Sequence, residues 1–209
     1  MPSLPIPLVV ALFLAFMFLR LMLSDGRHVP LAVLLRLCAV QALIKSLNQH
    51  YGLRGMATLQ PATATLIPPA AWIAFRMTAE RHPRWRDVVH LTTTAAVPVA
   101  WFLHLPAIDM LIPAQFAGYG IAVLWASWRN SDGLVHSILE AGDWSLRIWQ
   151  IIGVALIASA KTDVLIAVAM ETGARHLTPW IISVYSLANL LVVGGLSLSS
   201  ARVTDSRRP

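Results

Sequence analysis

The chain has 209 residues, of which 57% are hydrophobic and 12% charged, and its mean hydropathy is +0.66. This is more apolar than a water-soluble globular chain needs to fill one core, so the composition excludes a soluble domain and indicates a membrane-embedded protein. The formal net charge is +6, but the basic residues lie in short clusters between apolar runs, which is typical of cytoplasmic anchoring charges and does not imply a nucleic-acid surface.

Seven apolar segments follow one another along the chain, and a membrane-spanning helix needs roughly 20 such residues. We therefore predict an all-α, polytopic membrane protein with a seven-helix domain at 1–200 and a short basic tail at 201–209. Only Leu105 and Pro106 separate the fourth segment from the fifth, so six spans plus a re-entrant piece is the alternative. The predicted spans cover approximately residues 4–23, 30–47, 59–79, 88–104, 107–128, 146–170 and 178–200.

The distribution of positive charge predicts the orientation. Residues 1–7 carry no basic side chain, so a cleaved signal is not expected and the N-terminus is predicted outside. With seven spans the C-terminus is then cytoplasmic, and the chain is a multi-pass protein of a bacterial inner membrane. The predicted inner joints hold Arg20, Arg27, Arg76, Arg81, Arg84, Arg86, Arg129, Arg147, Arg202, Arg207 and Arg208, whereas the outer joints hold only Lys45, Arg54 and Arg175.

The third segment contains LQPATATLIPPAAW at 59–72, in which three prolines and several polar residues interrupt an apolar run. Proline removes a backbone donor and frees a carbonyl, so Pro61, Pro68 and Pro69 are predicted to bend the helix. Gln60, Thr63 and Thr65 can supply hydrogen bonds inside the bundle. The functional hypothesis is a polar recess beside a kinked helix, and the alternative is helix–helix packing around a structural kink.

Charged residues inside predicted spans are the second indication, because an ionised side chain is costly at the bilayer centre. Lys45 lies near the outer end of the second span, and Asp163 lies in the outer half of the sixth. We predict that they pair, with Arg54 as the alternative partner of Asp163, and that Gln41 and Asn189 complete the network. The alternative is that the pair only stabilises the packing of the two helices.

The sequence gives no support for a metal site or for catalysis. The histidines predicted at the outer surface, His50, His104 and His176, lack compact ligand spacing and are interpreted as interfacial residues at helix ends. The chain has no GxSxG elbow, no P-loop and no GxGxxG motif. We therefore predict no bound metal, no cofactor and no enzymatic activity.

Three stretches carry a family resemblance, namely YGLRGMATLQPATATLIPPAAWIAFR at 51–76, AKTDVLIAVAM at 160–170 and SLANLL at 186–191. They resemble the seven-helix membrane region that precedes the DNA-binding domain in some bacterial AraC-type regulators. The resemblance implies a sensing role for the membrane part. Because no helix-turn-helix sequence follows within the 209 residues, we expect a membrane module used alone, or one whose DNA-reading part lies on another polypeptide or is not included.

These features together predict a signal-sensing or regulatory membrane module that relays a periplasmic or intramembrane signal to a cytoplasmic partner. A small transporter or transporter accessory subunit is the alternative, and an intramembrane enzyme ranks third. The expected partners are the lipid bilayer and a cytoplasmic or membrane protein, with no direct nucleic-acid binding by this chain. The predicted recess faces outward between the second, third, sixth and seventh spans and is lined by Lys45, Gln60, Thr63, Asp163 and Asn189.

Overall fold

The computed structural model describes residues 5–23, 29–53, 55–80, 87, 89–103, 108–129 and 144–188. Within these ranges the secondary structure is helical and contains no strand, which confirms the predicted all-α class for this part of the chain. The helices are α1 (Ile6–Leu23), α2 (Val29–Gln49), α3 (Met56–Ala64), α4 (Ile67–Glu80), α5 (Val89–Phe102), α6 (Ile108–Arg129) and α7 (Trp144–Glu171). A 3-10 turn, Arg175–Leu177, then leads into α8, whose described part covers 178–188.

Four of these helices are long and apolar enough to cross a membrane, which supports the predicted membrane-embedded class. Their apolar side chains are often exposed, as in Leu12 and Phe16 of α1 and in Ile121 and Trp125 of α6. An exposed apolar surface on such helices is the surface that lipid covers. The four candidate spans are Ile6–Leu23, Val29–Asn48, Met110–Arg129 and Leu146–Glu171.

The third predicted span is divided by a break at Thr65 and Leu66, between α3 and α4. Pro68 and Pro69 follow at the second and third positions of α4, where a new helix does not need their missing N–H groups. Because they cannot donate to Ala64 and Thr65, the α3 ladder cannot continue through them. Pro61, by contrast, lies inside α3, and its carbonyl accepts a bond from the Thr65 N–H at 3.2 Å.

The apolar core lies where α2, α4, α6 and α7 meet. Phe75 of α4 and Trp149 of α7 are 2% and 3% exposed, and their rings meet edge to face at 5.6 Å. Leu34 of α2 and Val123 of α6 belong to the same cluster of buried residues. This core holds α4, the C-terminal part of the broken segment. The N-terminal part, α3, is attached to α2 by side-chain hydrogen bonds.

Helices α6 and α7 approach each other closely through a pair of glycines. A Cβ added at Gly120 would lie 2.9 Å from the Gly153 carbonyl oxygen and 2.8 Å from Ile157 Cγ1. A Cβ added at Gly153 would lie 3.1 Å from the Gly120 carbonyl oxygen and 2.8 Å from Leu124 Cγ. Small residues at such a crossing let two backbones approach, which is a common way to hold helices together in lipid.

Candidate functional site

Helices α2 and α3 are joined by a network of side-chain amides. Residues 41, 45 and 48 are four and three positions apart, so they lie along one face of α2. From that face, Gln41 Nε2 donates to the Gln60 carbonyl oxygen at 3.1 Å, and Asn48 Nδ2 donates to Gln60 Oε1 at 2.8 Å. Thr63 Oγ1 donates in return to Gln41 Oε1 at 2.5 Å. The predicted site residues Gln60 and Thr63 therefore belong to one hydrogen-bonded network.

The network holds α3, the N-terminal part of the broken segment, against α2. Gln41 uses both ends of its amide, one toward the α3 backbone and one toward Thr63, so it cross-links the two helices. The Thr63 hydroxyl also lies 2.8 Å from the Leu59 carbonyl oxygen, so its single hydrogen is shared between Gln41 and an acceptor within its own helix. Polar groups inside a membrane bundle need such partners because lipid supplies none.

Lys45 stands on the network face of α2, between Gln41 and Asn48, and Asp163 lies in the last third of α7. Both side chains are partly buried. No Lys45–Asp163 ion pair forms within 4.0 Å. The two side chains therefore make no direct ion pair, and their predicted proximity across α2 and α7 stays a prediction.

Other residues predicted at or near the site cannot all be placed. Asn189, and Arg54 as the alternative partner of Asp163, lie outside the described residues. Of the three histidines predicted at the outer surface, His50 and His176 are exposed, and His104 lies outside the described residues. Within the described ranges, no group of three or more His, Cys, Asp or Glu side chains is arranged to hold a metal ion.

A second polar cluster, which the sequence analysis missed, lies on the other side of the break. Gln115 of α6 donates through Nε2 to the Thr65 carbonyl oxygen at 3.2 Å and to Thr93 Oγ1 at 3.0 Å. Thr94 of α5 donates to the same Thr65 oxygen at 3.3 Å. In a continuous helix the N–H of residue 69 would donate to this oxygen, but Pro69 has no N–H. Side chains from two neighbouring helices replace the lost backbone hydrogen bond.

The second cluster extends from the break along α5 and α6. Tyr119 Oη lies 3.0 Å from His90 Nδ1 and 3.4 Å from Thr93 Oγ1. The His90 ring meets the Trp72 ring edge to face at 6.0 Å, and the guanidinium of Arg76 lies 5.9 Å from the Trp72 ring. Polar and aromatic groups therefore continue from the break toward the C-terminal end of α4.

That end of α4 carries an ion pair. Arg76 Nε lies 3.8 Å from Asp87 Oδ1, and the Asp87 side chain is buried. Nearer the break, Gln115 Oε1 and Trp72 Nε1 are buried and have no hydrogen-bond partner in the described part of the chain. The second cluster is therefore less completely satisfied than the α2–α3 network, and its buried acceptor and donor carry a desolvation cost.

A sequence signal for the second cluster existed. Gln115 interrupts the apolar run of the fifth predicted span, and Thr92, Thr93 and Thr94 are consecutive in the fourth. The argument applied to Gln60 and Thr63, that polar groups are costly toward lipid, applies equally to these residues. What the sequence does not carry is the pairing of Gln115 with Thr65.

No family model matches the chain, and neither a curated protein nor a solved structure is significantly similar to it. The resemblance to the membrane region of AraC-type regulators therefore stays a prediction. Assignment of a function rests on the residues and geometry described above.

Proposed function

We propose that this chain is a membrane-embedded sensing module that receives a small polar ligand. The proposed α2–α3–α7 site consists of the amide network, Lys45 on the same face of α2, and Asp163 of α7. The observation that carries the proposal is the amide network of Gln41, Asn48, Gln60 and Thr63, which joins α2 to α3 directly before the proline break. Polar side chains are gathered there, on a helix that also exposes apolar side chains such as Val33 and Val40. Intramembrane ionisable residues mark functional sites more often than packing needs alone would explain.

The break gives the site a means of signalling. Thr65 and Leu66 separate a short helix held to α2 from a longer helix packed in the core. A ligand that binds one arrangement of α3 better than another shifts the balance between them, whereas equal affinity for both changes nothing. The hydrogen bonds from Thr94 and Gln115 to Thr65 then connect movement of the break to α5 and α6.

The topology in this proposal has seven spans in a bacterial inner membrane, with the N-terminus outside and the C-terminus cytoplasmic. It is supported by the distribution of Lys and Arg over the predicted joints. In this orientation the α2–α3–α7 site opens to the periplasmic side, and the Arg76–Asp87 pair lies toward the cytoplasm. A cytoplasmic or membrane protein partner receives the signal, and the chain itself neither contacts DNA nor catalyses a reaction.

A comparison of bacterial strains tests the sensing role. Gene-expression profiles of cells that carry the wild-type chain, the deletion, D163N or K161M are compared. Lys161 is exposed on the same helix, two residues from Asp163, so K161M controls for loss of a charge on α7. We expect D163N to change the same transcripts as the deletion while K161M matches the wild type. A D163N profile identical to the wild type, at equal membrane abundance, would contradict the proposal.

A small transporter is the second candidate, because polar groups occur on both sides of the break and extend to Arg76 and Asp87. A transporter needs a polar route that reaches both membrane faces. Proteoliposomes that contain the purified chain distinguish the two functions. Ligand binding without counterflow supports the sensor, whereas saturable counterflow that D163N abolishes supports the transporter.

A further inference from the structure

His90 and Tyr119 form a hydrogen bond between α5 and α6 within the second polar cluster. Tyr119 Oη lies 3.0 Å from His90 Nδ1, and the two rings meet edge to face at 5.7 Å. The other acceptors near Tyr119 Oη, namely Thr93 Oγ1 and the His90 carbonyl oxygen, are each 3.4 Å away. The Tyr119 hydroxyl therefore has its best acceptor in an unprotonated Nδ1, which assigns the ring hydrogen of neutral His90 to Nε2.

The Thr93 hydroxyl connects this pair to the helix break. Gln115 Nε2 donates to Thr93 Oγ1 at 3.0 Å and also to the Thr65 carbonyl oxygen at 3.2 Å. Gln115 and Tyr119 are four residues apart on α6, so they lie on one face of that helix, and both contact Thr93. Two side chains, Thr93 and Gln115, thus join the His90–Tyr119 bond to the break.

Protonation of His90 would reverse the direction of its bond with Tyr119. An imidazolium carries hydrogens on both ring nitrogens, so Nδ1 becomes a donor and the Tyr119 hydroxyl hydrogen needs another acceptor. Thr93 Oγ1 already accepts from Gln115, and the His90 carbonyl already accepts from Thr93. Gln115 Oε1, by contrast, is buried and accepts no hydrogen bond from the described residues. This atom is therefore the acceptor that the cluster has to offer, and filling it relieves a desolvation cost.

Other ionisable groups near His90 come from Asp87, just before α5, and from the helices packed against α5 in the described part of the chain, which are α3, α4 and α6. Helix α3 contains none. In α4, the guanidinium of Arg76 lies against the Trp72 ring, which the His90 ring also contacts. Arg76 pairs with Asp87 at 3.8 Å, so these two charges offset one another. Besides Tyr119, the remaining ionisable residues of α4 and α6, toward the ends of those helices, are Glu80, Asp109 and Arg129. Histidine is the residue type that ordinarily changes charge near neutral pH.

We propose that His90 is a proton-binding site that controls the helix break at Thr65. With His90 neutral, Tyr119 donates to Nδ1 and Gln115 holds the Thr65 carbonyl. With His90 protonated, the Tyr119 hydroxyl donates to Gln115 Oε1, and the Gln115 amide turns away from Thr65. This switch goes beyond the proposed function, because it responds to protons rather than to the polar ligand and does not involve the α2–α3–α7 site.

The coupling between Gln115 and position 69 tests the proposal. P69A supplies an N–H that can donate to the Thr65 carbonyl in place of Gln115, so a double-mutant cycle of P69A and Q115L reports on that one contact. Unfolding of the full chain in a fixed detergent is measured at about pH 8 and about pH 5, where histidine side chains are mostly neutral and mostly protonated. We expect the coupling at the lower pH to be less than half of its value at the higher pH. Equal coupling at both would overturn the proposal.

Three variants assign the pH dependence to His90. H90Q and Y119F each remove a member of the hydrogen-bonded chain, so in either background the coupling should be the same at both pH values. H50Q is the matched control, because His50 is exposed and meets the Tyr51 ring edge to face at 5.1 Å outside the cluster. It should keep the wild-type pH dependence. A pH dependence that persists in both H90Q and Y119F would overturn the proposal.

The protonation state of His90 is measured directly by nitrogen NMR of the full chain labelled at histidine, with H90Q identifying the resonances. We expect neutral His90 to carry its hydrogen on Nε2 and to gain a second hydrogen on Nδ1 as the pH falls. In Y119F the Nδ1 resonance should shift, because its hydrogen-bond donor is gone. A neutral ring with the hydrogen on Nδ1, or a ring that stays neutral down to about pH 5, would contradict the switch.

Discussion

Gln115 of α6 donates its side-chain N–H to the carbonyl oxygen of Thr65, 50 residues earlier in the chain, at 3.2 Å. The oxygen needs this donor because the residue four positions later, Pro69, has no N–H. The orientation of the Gln115 amide is fixed by the contact, since a carbonyl oxygen can only accept and must face the NH₂ group. A break in one membrane helix is therefore stabilised from another.

Replacing Gln115 with Leu should destabilise the protein by about 1 kcal/mol, because the Thr65 carbonyl keeps only the Thr94 hydroxyl as a side-chain donor. Thermal or SDS-induced unfolding in a fixed detergent measures the loss. T92V is the matched control, since the Thr92 hydroxyl bonds only within its own helix, to Val89. Equal stability of Q115L and T92V would mean that the contact contributes nothing to the break.

Restoring the missing donor should remove the need for Gln115. P69A gives position 69 an N–H four residues after Thr65, so the Thr65 carbonyl can regain a backbone bond. In the P69A background we expect Q115L to cost less than half of what it costs in the wild type, as measured by a double-mutant cycle of unfolding free energies. Strict additivity of the two substitutions would show that Gln115 does not compensate for the proline.

The glycine pair between α6 and α7 should tolerate no methyl group. G120A places a Cβ 2.9 Å from the Gly153 carbonyl oxygen, so the helices must separate, at a cost of about 1–3 kcal/mol. G118A is the control on the same helix, because a Cβ there meets nothing within 4 Å. Unfolding of the two variants under identical conditions separates a packing effect from a change in helix propensity, and equal losses would argue against close packing.

A double-mutant cycle on K45M and D163N measures the attraction between their charges. Each single variant leaves one charge without its counter-charge, so we expect the double variant to be more stable than the sum of the two single losses predicts. The expected coupling is about 0.5–3 kcal/mol, the range for interacting residues. Additive losses of unfolding free energy would show that the two charges lie in separate environments and do not interact.

Apolar length was sufficient to predict most of the helices. The predicted spans 4–23 and 146–170 agree with Ile6–Leu23 and Trp144–Glu171 to within two residues at each end, because twenty apolar residues in lipid can satisfy their backbone only as a helix. The prolines also indicated where the third segment is interrupted. The break at Thr65 and Leu66 follows from the missing donors of Pro68 and Pro69, whereas Pro61 lies inside α3.

The site was predictable only in part, for a geometric reason. Gln41, Gln60 and Thr63 could be grouped because polar side chains in spans turn toward each other. The pairing of Gln115 with Thr65, and the contact between Gly120 and Gly153, depend on how each helix is rotated and how closely two helices approach. Helix rotation and the distance between helices are set by packing across the whole bundle. A local sequence pattern does not predict them.

The account depends most directly on an α2–α3–α7 site that opens to the periplasmic side. In a C38A background, N48C and R129C are treated in intact cells with a maleimide that cannot cross the membrane. Asn48 belongs to the site, whereas Arg129 is exposed in the last turn of α6, at a joint predicted to be cytoplasmic. We predict labelling of N48C in intact cells and of R129C only after permeabilisation, and labelling of R129C but not N48C in intact cells would contradict the account.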